Sequence, residues 1–234
     1  MADVQAPLIE TRALKKYFPV GDHSQLHAVD GINLKIYPGE TLGVVGESGC
    51  GKSTLGRTIL RLQEPTDGQI LYDGKDITKY NRRQMKQMRQ NMQLIFQDPY
   101  ASLDPRKSVV EIIAEYMIIN RTYPSKKEIY NYAAHLMDIV GLARRYANAY
   151  PHELDGGRRQ RIVIARALSL HPKFIVCDEP VSALDVSIQA QILNLLMDLQ
   201  DEMNLTYMFV THDLSVVKHI SNHIMVMYLG QCLE

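Results

Sequence analysis

Gly46-Glu-Ser-Gly-Cys-Gly-Lys-Ser-Thr54 decides how the rest of the chain is read. It follows Thr41-Leu-Gly-Val-Val45, a continuous apolar run of the kind that forms a buried strand. It precedes a helical pattern from residue 52 to about residue 62. The nine residues match G-x-x-x-x-G-K-[ST] in full, and strand, loop and helix come in the order the motif's mechanism requires. The glycines, Gly46, Gly49 and Gly51, let successive backbone N–H groups turn inward on phosphate oxygens, with Glu47, Ser48 and Cys50 between them. The helix N-terminus, at Ser53 and Thr54, adds partial positive charge. Lys52 is expected to reach the β- and γ-phosphates, and the Ser53 hydroxyl to ligate Mg²⁺. Cys50 reads either as a small side chain that fits a tight loop or as a thiol activated by the helix N-terminus. In the second case alkylation blocks nucleotide binding.

Lys173-Phe-Ile-Val-Cys-Asp-Glu179 is the natural counterpart, a buried strand ending in two carboxylates. Alone, such a run is most often only a strand end. Paired with a phosphate loop, Asp178 is placed to hold the metal and Glu179 to act as general base on an attacking water.

Composition narrows the remaining classes. The chain has 234 residues, 46% hydrophobic and 22% charged, an ordinary globular balance. Lysine plus arginine equals aspartate plus glutamate at 26 each, so the formal net charge is zero, which argues against electrostatic capture of nucleic acid. The basic run at residues 82–89 is therefore read as a solvated helix face. Three scattered cysteines, at 50, 177 and 232, suit a reducing compartment. The first residues lack the basic-then-apolar order of a secretory signal. No window approaches the ~20 apolar residues that cross a bilayer.

Working outward, residues 8–14 and 28–36 alternate like antiparallel strands, and further strands are expected at 68–74, 92–96, 174–177 and 207–210. Helical spacing marks 109–119, 125–140, 158–170, 188–203 and 214–220. Alternation of strand and helix implies a mainly parallel sheet covered by helices. The expected architecture is an α/β P-loop core with an antiparallel β edge, residues 1–98 and 160–234, and an inserted helical subdomain at 99–159.

Several further motifs carry a resemblance that covers essentially the whole chain. Leu94-Ile-Phe-Gln-Asp-Pro99, His152-Glu-Leu-Asp-Gly-Gly-Arg-Arg-Gln-Arg161, Ser182-Ala-Leu-Asp185 and Val210-Thr-His-Asp213 stand in the order and spacing of the nucleotide-binding domains of ABC transporters. The resemblance implies that Gln97 contacts Mg²⁺ and the attacking water, and that His212 holds the γ-phosphate. It implies that Ser182 and Asp185 lie in the family's D-loop, and that Phe18, or alternatively Tyr17, packs against adenine. It also implies an ATPase on the cytoplasmic face of the membrane, paired head to tail with a homologous ATPase subunit. The pair would drive two membrane permease subunits and, indirectly, serve a solute-binding protein. Phe96-Gln-Asp-Pro-Tyr-Ala-Ser-Leu-Asp-Pro-Arg106 and Asp185-Val-Ser-Ile-Gln189 are similar to ATPase subunits of dipeptide and oligopeptide importers. Those proteins run on past the equivalent of Glu234, so this chain is expected to be a truncated piece or a short variant.

One segment departs from the family pattern. Where the family reads Leu-Ser-Gly-Gly-Gln, this chain has Leu154-Asp-Gly-Gly-Arg158. In the family that segment closes over the nucleotide of the partner subunit. Asp155 cannot donate when ionised and brings negative charge toward a polyanion. Two unit charges ~4 Å apart cost about 1 kcal/mol in water and about 4 kcal/mol at an effective dielectric of 20. Asp155 remains a good N-cap, and Arg158, three residues on, is placed to neutralise it. The expectation is an asymmetric dimer, hence a heterodimer, with the site beneath Asp155, Gly156, Gly157 and Arg158 impaired. The rivals are a regulatory module without turnover, and a soluble ABC ATPase acting on DNA or ribosomes. The long coiled coils or paired cassettes of that last class are not seen in this sequence.

Overall fold

The structure, a computed structural model, describes residues 6–21 and 24–234. Two long strands open it, β1 (Ile9–Val20) and β2 (Ser24–Ile36), paired antiparallel with Ile9 opposite Ile36. The strand β3 (Thr41–Gly46) leads into the glycine loop and α1 (Lys52–Ile59). This helix ends before the expected residue 62, with Leu60 as its C-cap and Arg61 in left-handed backbone (φ 50°). Strands β4 (Asp67–Tyr72) and β5 (Lys75–Asp76) complete an antiparallel sheet in the order β2-β1-β4-β5.

The basic run forms α2 (Arg82–Asn91). Asn81 and Gln84 make a reciprocal capping box at its start, and Met85 is the residue it buries. Its charge sits on a solvated face, as the balanced net charge implies. Strand β6 (Met92–Ile95) precedes α3 (Pro99–Ser102), α4 (Val109–Asn120) and α5 (Lys126–Ile139). Then come α6 (Gly156–Leu168), β7 (Phe174–Asp178), α7 (Val186–Met203), β8 (Thr206–Val210) and α8 (Leu214–Ile220). The chain closes with β9 (His223–Tyr228) and β10 (Gln231–Cys232), neither expected from the sequence.

The second sheet runs β10-β9-β3-β8-β7-β6, parallel from β9 to β6, with β10 antiparallel at the edge. Alternation along its strands feeds two cores. Ile95, Ile175, Cys177, Tyr207 and Phe209 face the helical layer, while Val44, Met92, Phe174, Val176, Met208 and Val210 face α1 and the antiparallel sheet. Helices α4 and α5 pack on each other and both on α6. The boundary expected between residues 159 and 160 falls inside α6. That helix starts two residues earlier than its apolar spacing indicates, because Asp155 accepts the Arg158 N–H and caps it.

Candidate nucleotide-binding site

Register places the site. Strands β3, β8, β7 and β6 are neighbours in that order, and their carboxyl ends are level: Val44 opposes Val210, Val210 opposes Asp178, and Cys177 opposes Ile95. Whatever leaves those four ends is gathered in one place. The glycine loop leaves β3, Glu179 leaves β7, Gln97 lies two residues beyond β6, and His212 two beyond β8. Ligands of open parallel sheets bind outside such carboxyl ends.

The loop needs its glycines. Gly51 has φ 107° and abuts the carbonyl of Ala28, while Gly46 has φ 154° and abuts the carbonyl of Met227; a Cβ at either would overlap backbone. Lys52 is buried, and its Nζ donates to the carbonyls of Gly46 at 2.8 Å and Glu47 at 2.7 Å. Cys50 is buried too, its Sγ 3.8 Å from that ammonium, while Glu47, Ser48 and Gly49 are exposed. Ser53 Oγ donates to Asp178 Oδ1 at 2.6 Å, across 125 residues of sequence. Thr54 continues the helix and its carbonyl accepts the Thr58 hydroxyl.

Sequence reasoning missed Arg57, whose Nη2 donates to the other oxygen of Asp178 at 3.2 Å. The signal was available: Ser53 and Arg57 are four apart on α1 and share the face turned to β7. Asp178 is 1% exposed, so its charge is held by a hydroxyl on one oxygen and a guanidinium on the other.

Glu179 lies just beyond, in left-handed backbone (φ 48°), a conformation that costs a non-glycine residue about 1 kcal/mol or more. Its amide donates to the Val210 carbonyl at 2.9 Å, which ties the turn to β8. Gln97 Nε2 donates to Oε2 at 2.9 Å, and His212 Nδ1 lies 3.4 Å from Oε1. Both carboxylate oxygens are therefore addressed from flanking strands. Gln97 meets Glu179 here, and the Ser53–Asp178 pair is met by Arg57. Ser182 Oγ donates back to the Glu179 carbonyl at 3.1 Å, and Asp185 is the N-cap residue of α7.

Two oxygen donors, the Ser53 hydroxyl and the Asp178 carboxylate, converge beside the phosphate loop. That set suits Mg²⁺, which takes one or two carboxylates with the remaining oxygens from phosphate and water.

Of the two candidate aromatics, Tyr17 is engaged. Its ring stacks on His27 at 3.8 Å between centroids, and its hydroxyl donates to Asp30. That bond pushes the phenol up to about 12 and holds the Asp30 carboxyl below its usual range. Phe18 is half-buried, with Lys16 Nζ 4.9 Å from its ring centre. Gly230 was also missed. Its amide donates to the Cys50 carbonyl and its carbonyl accepts the Asp30 N–H, so the β9–β10 turn braces the loop against β2.

At the start of α6, Asp155 is fully engaged: one oxygen caps the helix and the other pairs with the Arg158 guanidinium. That guanidinium lies over the Tyr146 ring, 4.9 Å from its centre. Gly156 and Gly157 face Leu184 and Ile188, which brings α6 against the segment that holds Ser182 and Asp185.

The family model described as ABC transporter matches residues 29–182. The chain belongs to the ABC transporter family. It is 53% identical, over 97% of its length and 74% of the relative's, to the oligopeptide transport ATP-binding protein OppF of Bacillus subtilis (strain 168). It is 49% identical, over 100% of its length and 71% of the relative's, to the dipeptide transport ATP-binding protein DppF of Escherichia coli (strain K12). Among solved structures, it is similar to the dimeric post-hydrolysis state of the ATP-binding cassette MJ0796 bound to ADP and Pi. There the TM-score is 0.87, at 29% identity and 97% coverage of both chains. As an ABC ATPase, the chain has the α/β cassette fold expected from its motifs.

Proposed function

We propose that this ABC ATPase binds ATP at the 46–54 loop and hydrolyses it to drive import of dipeptides or oligopeptides through partner membrane subunits. The observation that carries the catalytic half is the convergence of Lys52, Ser53, Asp178, Glu179, Gln97 and His212 at four adjacent strand ends. Phosphoryl transfer asks the protein for positioning and charge compensation more than for covalent chemistry. Lys52, held at the loop mouth by two carbonyls, exchanges them for β- and γ-phosphate oxygens. Ser53 and Asp178 would hold Mg²⁺, which when bound supplies positive charge to those oxygens. Glu179 takes the proton from the attacking water. Gln97 and His212 fix its carboxylate and line the water's position. Phe18, whose hydrocarbon face is free of the Tyr17–His27–Asp30 network, is the proposed adenine contact, with Tyr17 as the alternative.

The transport half rests on the relatives' named roles. Among the described residues no helix is long and apolar enough to cross a membrane. Attachment to the cytoplasmic face is therefore assigned to two permease subunits, with a solute-binding protein served indirectly. The groove beside Gln97, lined by Leu62, Met92, Leu94, Phe96 and Ile119, supports this, because it offers apolar surface next to a residue that touches Glu179. The test is paired. Lys52→Ala should abolish ATP hydrolysis by the assembled dimer and uptake of a labelled tripeptide by cells. Hydrolysis equal to the parent's sinks the nucleotide assignment, and uptake that survives the loss of hydrolysis sinks the transport assignment.

A second reading concerns the dimer. Family members pair head to tail, and here Asp155 and Arg158 are locked to each other and to Tyr146. A segment so occupied is a poor donor to a partner's nucleotide. The proposed assembly is a heterodimer: this chain's loop, Asp178, Glu179 and His212 turn over beneath a partner's segment, while the reciprocal site is impaired.

A further inference from the structure

Helix α1 meets β7 at Gly56, where a Cβ would stand 2.7 Å from Val176 Cγ1, so the close approach uses the missing side chain. Ser53 and Arg57, four residues apart on one face of that helix, both reach the Asp178 carboxylate at the end of the strand. The Arg57 side chain is 41% exposed and that of Asp178 1%, so a part-exposed cation covers a buried anion.

The ion pair is half made. Elsewhere in the chain Arg12, Arg106 and Arg144 each grip a carboxylate through Nε and Nη2 together, the fork that guanidinium geometry favours. Arg57 uses Nη2 alone, and its Nε is shut from water without a hydrogen-bond partner among the described residues. The Ser53 hydroxyl meanwhile occupies the other oxygen of Asp178. A buried donor without an acceptor is costly. Once Ser53 turns away from Oδ1, the spare half of the fork competes for the carboxylate with whatever else arrives.

Without nucleotide, the charges of the site balance. Lys52 and Arg57 are its cations, Asp178 and Glu179 its carboxylates, and His212 adds no negative charge. Arg57 is the cation bonded to Asp178, while the Lys52 ammonium rests on backbone carbonyls. No surplus of negative charge is left to attract a divalent cation. Among the described residues no group of three or more His, Cys, Asp or Glu side chains is placed to hold one. The phosphates of ATP bring the negative charge that is missing.

We propose that Arg57 is a positioning residue that makes metal binding conditional on nucleotide: its charge keeps Asp178 from holding a divalent cation until phosphates arrive with it. The proposal rests on the metal assignment made above for Ser53 and Asp178. The chain then takes up metal together with nucleotide and does not retain it once the phosphates leave.

The test is Mn²⁺ binding to the nucleotide-free chain, read by EPR as loss of the free-ion signal, in the parent, Arg57→Gln and Arg57→Lys. The glutamine removes the charge and puts an amide nitrogen where Nε stands. The lysine keeps the charge and loses the fork. Mn²⁺ should bind Arg57→Gln about tenfold or more tightly than the parent, and Arg57→Lys as weakly as the parent. A side chain that served packing alone would not separate the two variants by charge. Thermal melts accompany the titrations. Mg²⁺ without nucleotide should raise the melting temperature of Arg57→Gln and leave the parent's unchanged, whereas Mg²⁺ added with a non-hydrolysable ATP analogue should raise both. Equal or weaker Mn²⁺ binding by Arg57→Gln overturns the proposal, as does binding by Arg57→Lys as tight as by Arg57→Gln. A low melt of Arg57→Gln that Mg²⁺ does not restore overturns it too. A parent that the analogue stabilises no further when Mg²⁺ is added removes the metal from Ser53 and Asp178 altogether, and the proposal falls with that assignment.

Discussion

Glu179→Gln isolates one negative charge at the point where the geometry is most demanding. The substitution keeps the side-chain length and the left-handed backbone, so the strain at φ 48° is unchanged. The amide oxygen still accepts from Gln97 Nε2, now 2.9 Å from Oε2, and the amide nitrogen falls where Oε1 faces His212 Nδ1 at 3.4 Å. The bond from the Glu179 backbone amide to the Val210 carbonyl is untouched. Folding stability should therefore move by less than about 1 kcal/mol, a shift of about 2–4 °C in Tm or smaller for a chain of this size. Proton removal is another matter. A positioned general base contributes typically 10²–10⁴-fold, which is about 2.7–5.4 kcal/mol of barrier. Turnover should fall by that factor while ATP affinity is kept, because the proposed phosphate grip lies with Lys52, Ser53 and the loop amides. The assay is single-turnover hydrolysis of radiolabelled ATP, run beside equilibrium binding of a fluorescent ATP analogue and a thermal melt. Turnover within twofold of the parent would remove Glu179 from the chemistry. Loss of binding together with turnover would show that the carboxylate holds the loop itself, and the assignment of roles would be wrong.

Converting Asp155 to Ser and Arg158 to Gln keeps an N-cap and removes a surface ion pair worth about 0–1 kcal/mol, so the melt should scarcely change. Turnover of the assembled dimer should rise, and an unchanged rate refutes the impaired-site reading. Gly51→Ala forces a Cβ against the Ala28 carbonyl at φ 107° and should cost about 2 kcal/mol or more, with loss of nucleotide binding; a parental melting curve would contradict it. Asp104, held at about 2 by its bond to Arg106, contributes stability that is present above about pH 4 and lost as pH falls toward 2. Asp104→Asn should flatten that limb of an acid titration of unfolding, and an identical limb would exclude the pair as its source.

Much of this was legible in the sequence because the decisive residues sit at strand ends. A buried apolar run announces where a parallel strand stops, and the residues proposed for the chemistry, Lys52 and Ser53, Asp178 and Glu179, Gln97, His212, sit at or just beyond those ends. Asp155 also declared itself through its capping position, although apolar spacing set the start of α6 two residues late. What stayed hidden depends on register between segments far apart in sequence. Strand β9 alternates in burial only over its second half, and β10 is two residues long, so neither has a periodic signal of its own. Yet their turn delivers Gly230 to the Cys50 carbonyl.

Arg57 is legible in one respect and hidden in another. Arg57 shares a helix face with Ser53, four residues apart on α1, so its contact with Asp178 is legible from helical spacing. Its spare Nε could not have been found this way. In sequence it belongs to an ordinary arginine after a Leu-Gly pair, and only the packing of α1 against β7 takes that nitrogen out of water without an acceptor. Motif reading finds groups that chemistry requires at fixed spacing. A buried donor with no partner is a property of the packed chain, so groups of that second kind have to be sought in the structure, one unsatisfied polar atom at a time.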